Sequence, residues 1–539
     1  MRGDPSRTAA RAFAWLCVLG FCYLPVLVAL WVSPHLGQHP VSPPASLGRT
    51  FALTGNTAIV SGGAALFALA VGLPYGLLVA RTDLPLRRFF EAVLLVPLLM
   101  PPYVAGTGWV YATGSQGFLN TSAASLIRPG VVSSGIFPIA ASTVVLGLSY
   151  MPLVALAAAS AARQTSRELE DVARLSAERW SVVRHSVLPF VMPSSVAAAG
   201  LVFLLSAADF GVPALFSVNV LTVEVYEQFA AYYNTRAAVL AMLPLIGIAV
   251  AGLLLSTWIY RAGSRSSVDS DLQKPRVWRL GWWRPAAAVF CASSLGGAVL
   301  IPVLALLRET QGTSAFAHAW AQGTTEIWHT AAYAFWAACV ATLMAIPVGY
   351  FAARGKAAST TLFRLLVLLA VAVPGGILGV GLISLLNRPG FADYIYTGAG
   401  IVVIGFVCRF MPVTSIVLAA GIGQVSTDLE DPARVAGAGW FGVLRAAVLP
   451  YIRPWLLVAW LATFALCTGE LATSVLVSPP GCETLPVKVF SLMHFGASSV
   501  MAALCLIVVA MALAPVIVAV VLFWFLSTRS FGMSKEAIP

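Results

Sequence analysis

Apolar residues in this chain come in long unbroken runs, not in alternation with polar ones. Twelve such runs lie near 13–33, 53–80, 90–112, 136–160, 191–211, 236–260, 286–306, 328–353, 364–386, 399–421, 454–477 and 499–526. A helix of about 20 apolar residues crosses a hydrocarbon core of roughly 30 Å. Within a bilayer the backbone must satisfy its own hydrogen bonds, which leaves helices or closed barrels. Continuous runs without a two-residue period predict helices. The pattern therefore predicts an all-α polytopic membrane protein with twelve transmembrane helices.

The polar interruptions repeat. "LEDVARLSAERW" begins at Leu169 and "LEDPARVAGAGW" at Leu429. "NTAIVSGGAALFALAVGLPYGLLVAR" (56–81) aligns without gaps on "HTAAYAFWAACVATLMAIPVGYFAAR" (329–354), so that Pro74 meets Pro347 at an offset of 273. Pro101, Gly106 and Gly108 meet Pro374, Gly379 and Gly381 at the same offset. The offset then falls to 260, where Pro152 of "SYMP" meets Pro412 of "RFMP". The fall places 13 extra residues in the external loop of the first half. Chance likeness of apolar segments does not keep prolines, glycines and a charged loop in register. Each half holds six spans, and an even number gives both halves one orientation, a parallel repeat. The expected units are a first half at 1–260, a hydrophilic linker at 261–285 and a second half at 286–539.

Composition agrees with the membrane class: of 539 residues, 59% are hydrophobic and only 10% charged, with a mean hydropathy of +0.88. The net charge of +11 raises the question of a nucleic-acid partner. Position answers it. With both termini placed in the cytoplasm, 25 of the 32 basic residues fall on the inner side, as the positive-inside rule requires. The basic surplus reports orientation, not nucleic acid. Arg2–Arg11 with the following apolar run reads as an uncleaved first span, because the run is long for a signal peptide and no clear A-x-A site follows. Seven of the eight cysteines lie in spans and no C-x-x-C occurs, which argues against disulfide or metal frameworks. The six histidines form no spaced ligand set, so no fixed metal site is expected.

Both repeated phrases fall between the fourth and fifth spans of their half, on the cytoplasmic side. In the second, Ala433 and Gly437 are four apart and are expected to share one helical face, small enough for another protein to approach. Asp431 stands at the start, where a helix N-terminus favours negative charge. The segment reads as a short helix on the cytoplasmic surface, a docking peg. "DPARVAGAGWFGVLRAAVLP" resembles the E-A-A-x-x-x-G-x9-I-x-L-P loop of the permease subunits of ABC importers. Asp431 matches the Glu, Ala433 the second Ala, Gly437 the Gly and Leu449–Pro450 the L-P, whereas Pro432 and Ala447 depart from the pattern. In the first copy Ala177 replaces the Gly, and one residue is missing before Leu188. The resemblance covers nearly the whole chain and is closest to fused permeases of the iron(III) type, which the thiamine and aminoethylphosphonate permeases also resemble. It rests further on "ADFGVPALF" and "GELATSVLVSPPGCETLPVKVFSLMHFGA".

The resemblance implies a type I importer fold in the inner membrane and two coupling loops. Their residues would be Glu170, Asp171, Ala173, Ala177, Glu430, Asp431, Ala433 and Gly437. It also implies two separate ATP-binding cassette subunits and an external solute-binding protein. The chain itself would carry no cofactor, since ATP is hydrolysed by the partner. Its own sequence has no P-loop, nucleophile elbow or dinucleotide fingerprint, so no enzyme is expected. Ferric iron is the best-guess cargo, with thiamine, phosphonate and polyamine as alternatives. A secondary transporter is the rival class.

Ionisable residues at mid-membrane cost roughly 2.5–3.5 kcal/mol on insertion scales and need a reason. Asp209 and Glu470 are 261 apart, the local repeat offset, on the fifth span of each half. Either they line the translocation path, or each accepts backbone hydrogen bonds at a broken helix near Gly211 or Gly469. Arg409 lies in the tenth span, and its mate is Ser149. It is expected to pair with Glu470 or to face a water-filled cavity. The Pro-Gly sets of the third and ninth spans read equally as kinks or as close-packing points. Tyr226, Phe229, Tyr232, Tyr233 and Phe495 read as an interfacial aromatic belt.

Overall fold

The computed structural model describes residues 5–32, 47–114, 117, 119, 136–165, 183–263, 277–355, 358–493 and 498–533. Among the described residues, ten helices are long and apolar enough to cross a membrane. They are α1 (Pro5–Trp31), α2 (Leu47–Arg81), α5 (Pro138–Arg163), α6 (Leu188–Ala207), α8 (Thr235–Ile259), α9 (Gly281–Glu309), α10 (Thr313–Arg354), α13 (Gly400–Gly423), α15 (Trp440–Thr468) and α17 (Ser499–Val521). Short helices α7 (Leu221–Tyr226), α14 (Asp431–Val435) and α16 (Leu485–Met493) lie between them.

The third and ninth spans differ from the continuous helices expected. Each is a bent pair: α3 (Arg87–Leu99) meets α4 (Pro102–Thr113) at 98°, and α11 (Ser359–Val371) meets α12 (Gly375–Leu386) at 97°. Counting each pair as one span gives twelve. The cause is proline. Met100, ahead of Pro101, is extended at ψ 121°, because a proline ring excludes the helical region for the residue before it. Pro374 begins the second break at ψ 141° and cannot donate to the ladder. Carbonyls at a broken helix end need donors. Arg409 supplies them, donating Nη1 to the carbonyls of Val371 and Val373. Arg409, expected to pair with Glu470 or to face a water-filled cavity, thus holds a broken helix end.

The same succession occurs in both parts of the chain. α2 packs along α5, and α10 along α13. The first span of each part crosses to the other: the Leu24–Val32 turn of α1 packs on α12, and the Ile301–Glu309 portion of α9 packs on α4. Gly381 and Gly108 are the points of contact. A Cβ on Gly381 would overlap the Pro25 carbonyl, and one on Gly108 would overlap Pro302. Without a hydrophobic drive between helices in lipid, such close backbone approach is what holds them. In front of α9, Trp278 pairs with the end of α2: its N–H donates to the Arg81 carbonyl at 2.6 Å, and Asp83 N–H donates to the Trp278 carbonyl at 3.1 Å. The linker thus returns to the first part of the chain before the second begins.

Candidate functional site

The second repeated phrase sits where α13 ends and α15 begins, at the end of the bundle where α10 also ends. Its helix α14 spans only Asp431–Val435 and stops for a physical reason. Gly437 has φ +80°; its N–H donates to the Arg434 carbonyl, and Ala438 N–H to the Ala433 carbonyl, each at 3.0 Å. This paired pattern is a Schellman stop, which needs a left-handed residue that glycine adopts without strain. Gly437 therefore lies beyond the helix and does not share a helical face with Ala433, contrary to expectation. The tip is apolar and bare: Val435 is 88% exposed and Phe441 70%. Asp431 is also exposed and takes an Arg434 Nη1 bond at 3.1 Å.

Glu430, expected on the loop surface, is fully buried beneath it. Its carboxylate accepts from Tyr350 Oη at 2.8 Å, Arg354 Nε at 2.7 Å and Arg434 Nη2 at 2.5 Å. Arg354, the last residue of α10, also donates to the Val425 carbonyl at 2.7 Å. Trp440 stacks edge-on to Tyr350 at 5.7 Å, and its N–H donates to Ser6 Oγ at 2.8 Å. Tyr350 and Arg354 were not singled out from sequence. The signal was present, since Arg354 falls in register with Arg81 at the ends of matching helices. Glu170, Asp171, Ala173 and Ala177 lie outside the described residues.

The fifth span of each part breaks at its carboxylate. Asp209 Oδ1 accepts the Val212 N–H at 2.9 Å, and Glu470 Oε1 accepts the Thr473 N–H at 2.9 Å. Both bonds reach three residues forward, so the two acids hold the same kind of turn. Thr473 Oγ1 adds a second donor to Glu470 at 2.9 Å. Neither carboxylate is fully buried. The two turns approach one another: a Cβ on Gly211 would lie 3.4 Å from the Leu471 side chain. A narrow crevice beside them is lined by Phe210, Thr222, Val225, Pro374, Ile377 and Ala472, drawn from both parts. Tyr226 belongs to this interior rather than to an aromatic belt: it packs against Phe210 at 4.8 Å and Phe490 at 5.8 Å. Phe495 lies outside the described residues. Among the described residues no cluster of three His, Cys, Asp or Glu side chains is placed to hold a metal ion.

Residues 72–266 match the family described as "Binding-protein-dependent transport system inner membrane component". An Fe(3+)-transport system permease protein of Haemophilus influenzae is 22% identical over 451 residues, covering 82% of this chain and 84% of its own. A ferric transport system permease protein of Actinobacillus pleuropneumoniae is 22% identical over 494 residues, covering 86% of this chain and 70% of its own. A molybdenum transport system permease protein of Escherichia coli is 26% identical over 209 residues, covering 38% of this chain but 90% of its own. The chain is thus similar to permeases of the iron(III) type across most of its length.

Proposed function

From the premise that this chain is similar to the inner-membrane permeases of binding-protein-dependent importers, we propose that it forms the translocation path of an ABC importer. Separate ATP-binding cassette subunits, one for each part of the chain, dock on the α14 loop and on its counterpart at 166–182. The observation that carries this reading is the α14 loop. A five-residue helix is anchored by a buried carboxylate, while Val435 at its end and Phe441 in the turn that follows are left bare. The loop end then faces the cytoplasm, and a solute-binding protein delivers cargo at the opposite face. ATP is hydrolysed by the partner, so this chain supplies the path and the grip, not the chemistry. The parts rock about the region of Asp209, Glu470 and Arg409 in an alternating-access cycle.

Ferric iron is the proposed cargo. The relatives' names support it, and so do the two carboxylates near the path, since oxygen donors suit a hard cation. The test is uptake of radiolabelled iron(III) by cells expressing the whole importer. Asp431→Lys and Gly437→Trp are expected to abolish uptake while the protein remains inserted. Normal uptake by both variants, or uptake that persists without any ATPase subunit, removes the reading and favours a secondary transporter.

A further inference from the structure

Glu430 is placed to do more than stabilise a loop. We propose that it is the bracket that makes the docking helix and the long helix α10 move as one body, so that displacement of α14 is delivered to the membrane-spanning part. The inference rests on the docking reading above.

The geometry is specific. A carboxylate with no solvent exposure sits between two guanidiniums and a phenol. A buried charge is tolerated only when paired and fully hydrogen-bonded, and loss of one partner leaves the others uncompensated. The three donors come from two elements. Tyr350 and Arg354 belong to the last turn and a half of α10, and Arg434 belongs to α14. Arg354 ties in a third element through the Val425 carbonyl just after α13. Moving α14 without α10 would therefore break charge-assisted bonds, which are among the stronger hydrogen bonds a protein makes. The tip that meets a partner is not part of this network: Val435 and Phe441 are exposed, whereas Glu430 touches only its own chain. Grip and transmission are thus carried by different side chains.

The far end of α10 gives the motion somewhere to go. The helix has 42 residues, roughly 60 Å at 1.5 Å per residue. Towards its other end, Thr330 Oγ1 accepts the Leu485 N–H at 2.7 Å, and Glu326 pairs with Lys488 at 3.1 Å. Both hold α16, the segment that follows the Glu470 turn. One continuous helix, helical through Pro347, is therefore bracketed at one end to the docking helix and fastened towards the other to the wall beside the central carboxylates.

The experiment uses the whole importer in proteoliposomes, with spin labels at the exposed positions Ser314 and Tyr233, on α10 and the first part of the chain. The readouts are retention of ATPase subunits during purification, the change in label separation when ATP is trapped, and iron(III) uptake per ATP hydrolysed. Glu430→Gln keeps the shape and removes the charge. It is expected to retain the ATPase subunits, lose the ATP-driven change in separation and lower uptake per ATP about tenfold. Tyr350→Phe removes one donor and leaves all charges, and is expected to lower the ratio by about two- to fivefold in a normally folded protein. A Glu430→Gln importer with the wild-type change in separation overturns the bracket, as does a Tyr350→Phe importer with an unchanged ratio when Glu430→Gln cannot be purified. Failure of the unaltered chain to retain any ATPase subunit is a different result and overturns the docking reading itself.

Discussion

Gly437 shows how one residue is chosen by backbone geometry. Sequence spacing suggested a small residue kept for a smooth docking face. The structure gives another reason, a φ of +80° that ends α14. A side chain with a Cβ pays about 1–2 kcal/mol in that conformation, and asparagine pays less than alanine or valine because it tolerates the left-handed region. The two explanations separate by substitution. Gly437→Asn is expected to keep near-normal uptake, and Gly437→Val to lose most of it with insertion unchanged. Equal loss in both would return the residue to the docking surface. Glu430 teaches the complementary lesson. It sits beside Asp431 in the sequence and shares its charge, but only the fold distinguishes a buried anchor from an exposed contact. Nothing in a charged phrase says which carboxylate turns inward.

At the scale of elements, the informative parts are the breaks. The apolar runs at 90–112 and 364–386 were legible as spans because hydropathy does not register a bend. Pro101 and Pro374 marked where a bend belongs, yet its angle depends on neighbours that donate to the exposed carbonyls, and Arg409 is one of them. The fifth-span breaks carry a sharper question. Asp209 and Glu470 each accept the N–H three residues on, the structural reading, and their turns also lie side by side, with a Cβ on Gly211 only 3.4 Å from the Leu471 side chain, the pathway reading. Asp209→Asn and Glu470→Gln keep an acceptor oxygen for the turn and remove the charge. If the charges serve the path, the double variant retains its thermal stability in detergent and loses iron(III) uptake at least tenfold. Asp209→Ala instead removes the acceptor and is expected to cost about 0.5–2 kcal/mol, the usual price of a lost capping side chain. Unchanged uptake in the double variant would leave both acids as turn-holders alone.

The whole molecule is organised by exchange between its two parts. In sequence the duplication was legible from Pro74 and Pro347, Gly108 and Gly381, and the twin phrases, because prolines and glycines mark backbone demands that the matching helices share. What the repeat could not reveal is that each part lends its first span to the other, since an apolar helix in lipid shows no partner preference in its composition. Opposite ion pairs add to the exchange of detail: Arg49 of α2 reaches Glu224 of α7 at 2.7 Å, while the matching helix α10 carries the acid, Glu326, and α16 the base, Lys488. Seating of α1 over Gly381 and of α9 over Gly108 means that neither part completes its own packing. The chain between them need not be continuous for that packing to form. Cutting within 264–276 and expressing the two pieces together is expected to give a complex that purifies as a pair, with a melting temperature close to that of the intact chain. Gly381→Leu in the second piece is expected to weaken the pair, because a leucine there collides with the backbone of Pro25 rather than with a movable side chain. Pieces that fold and purify apart, indifferent to Gly381→Leu, would show that the crossed first spans are incidental to assembly, and each six-span part would then have to be treated as a self-sufficient unit.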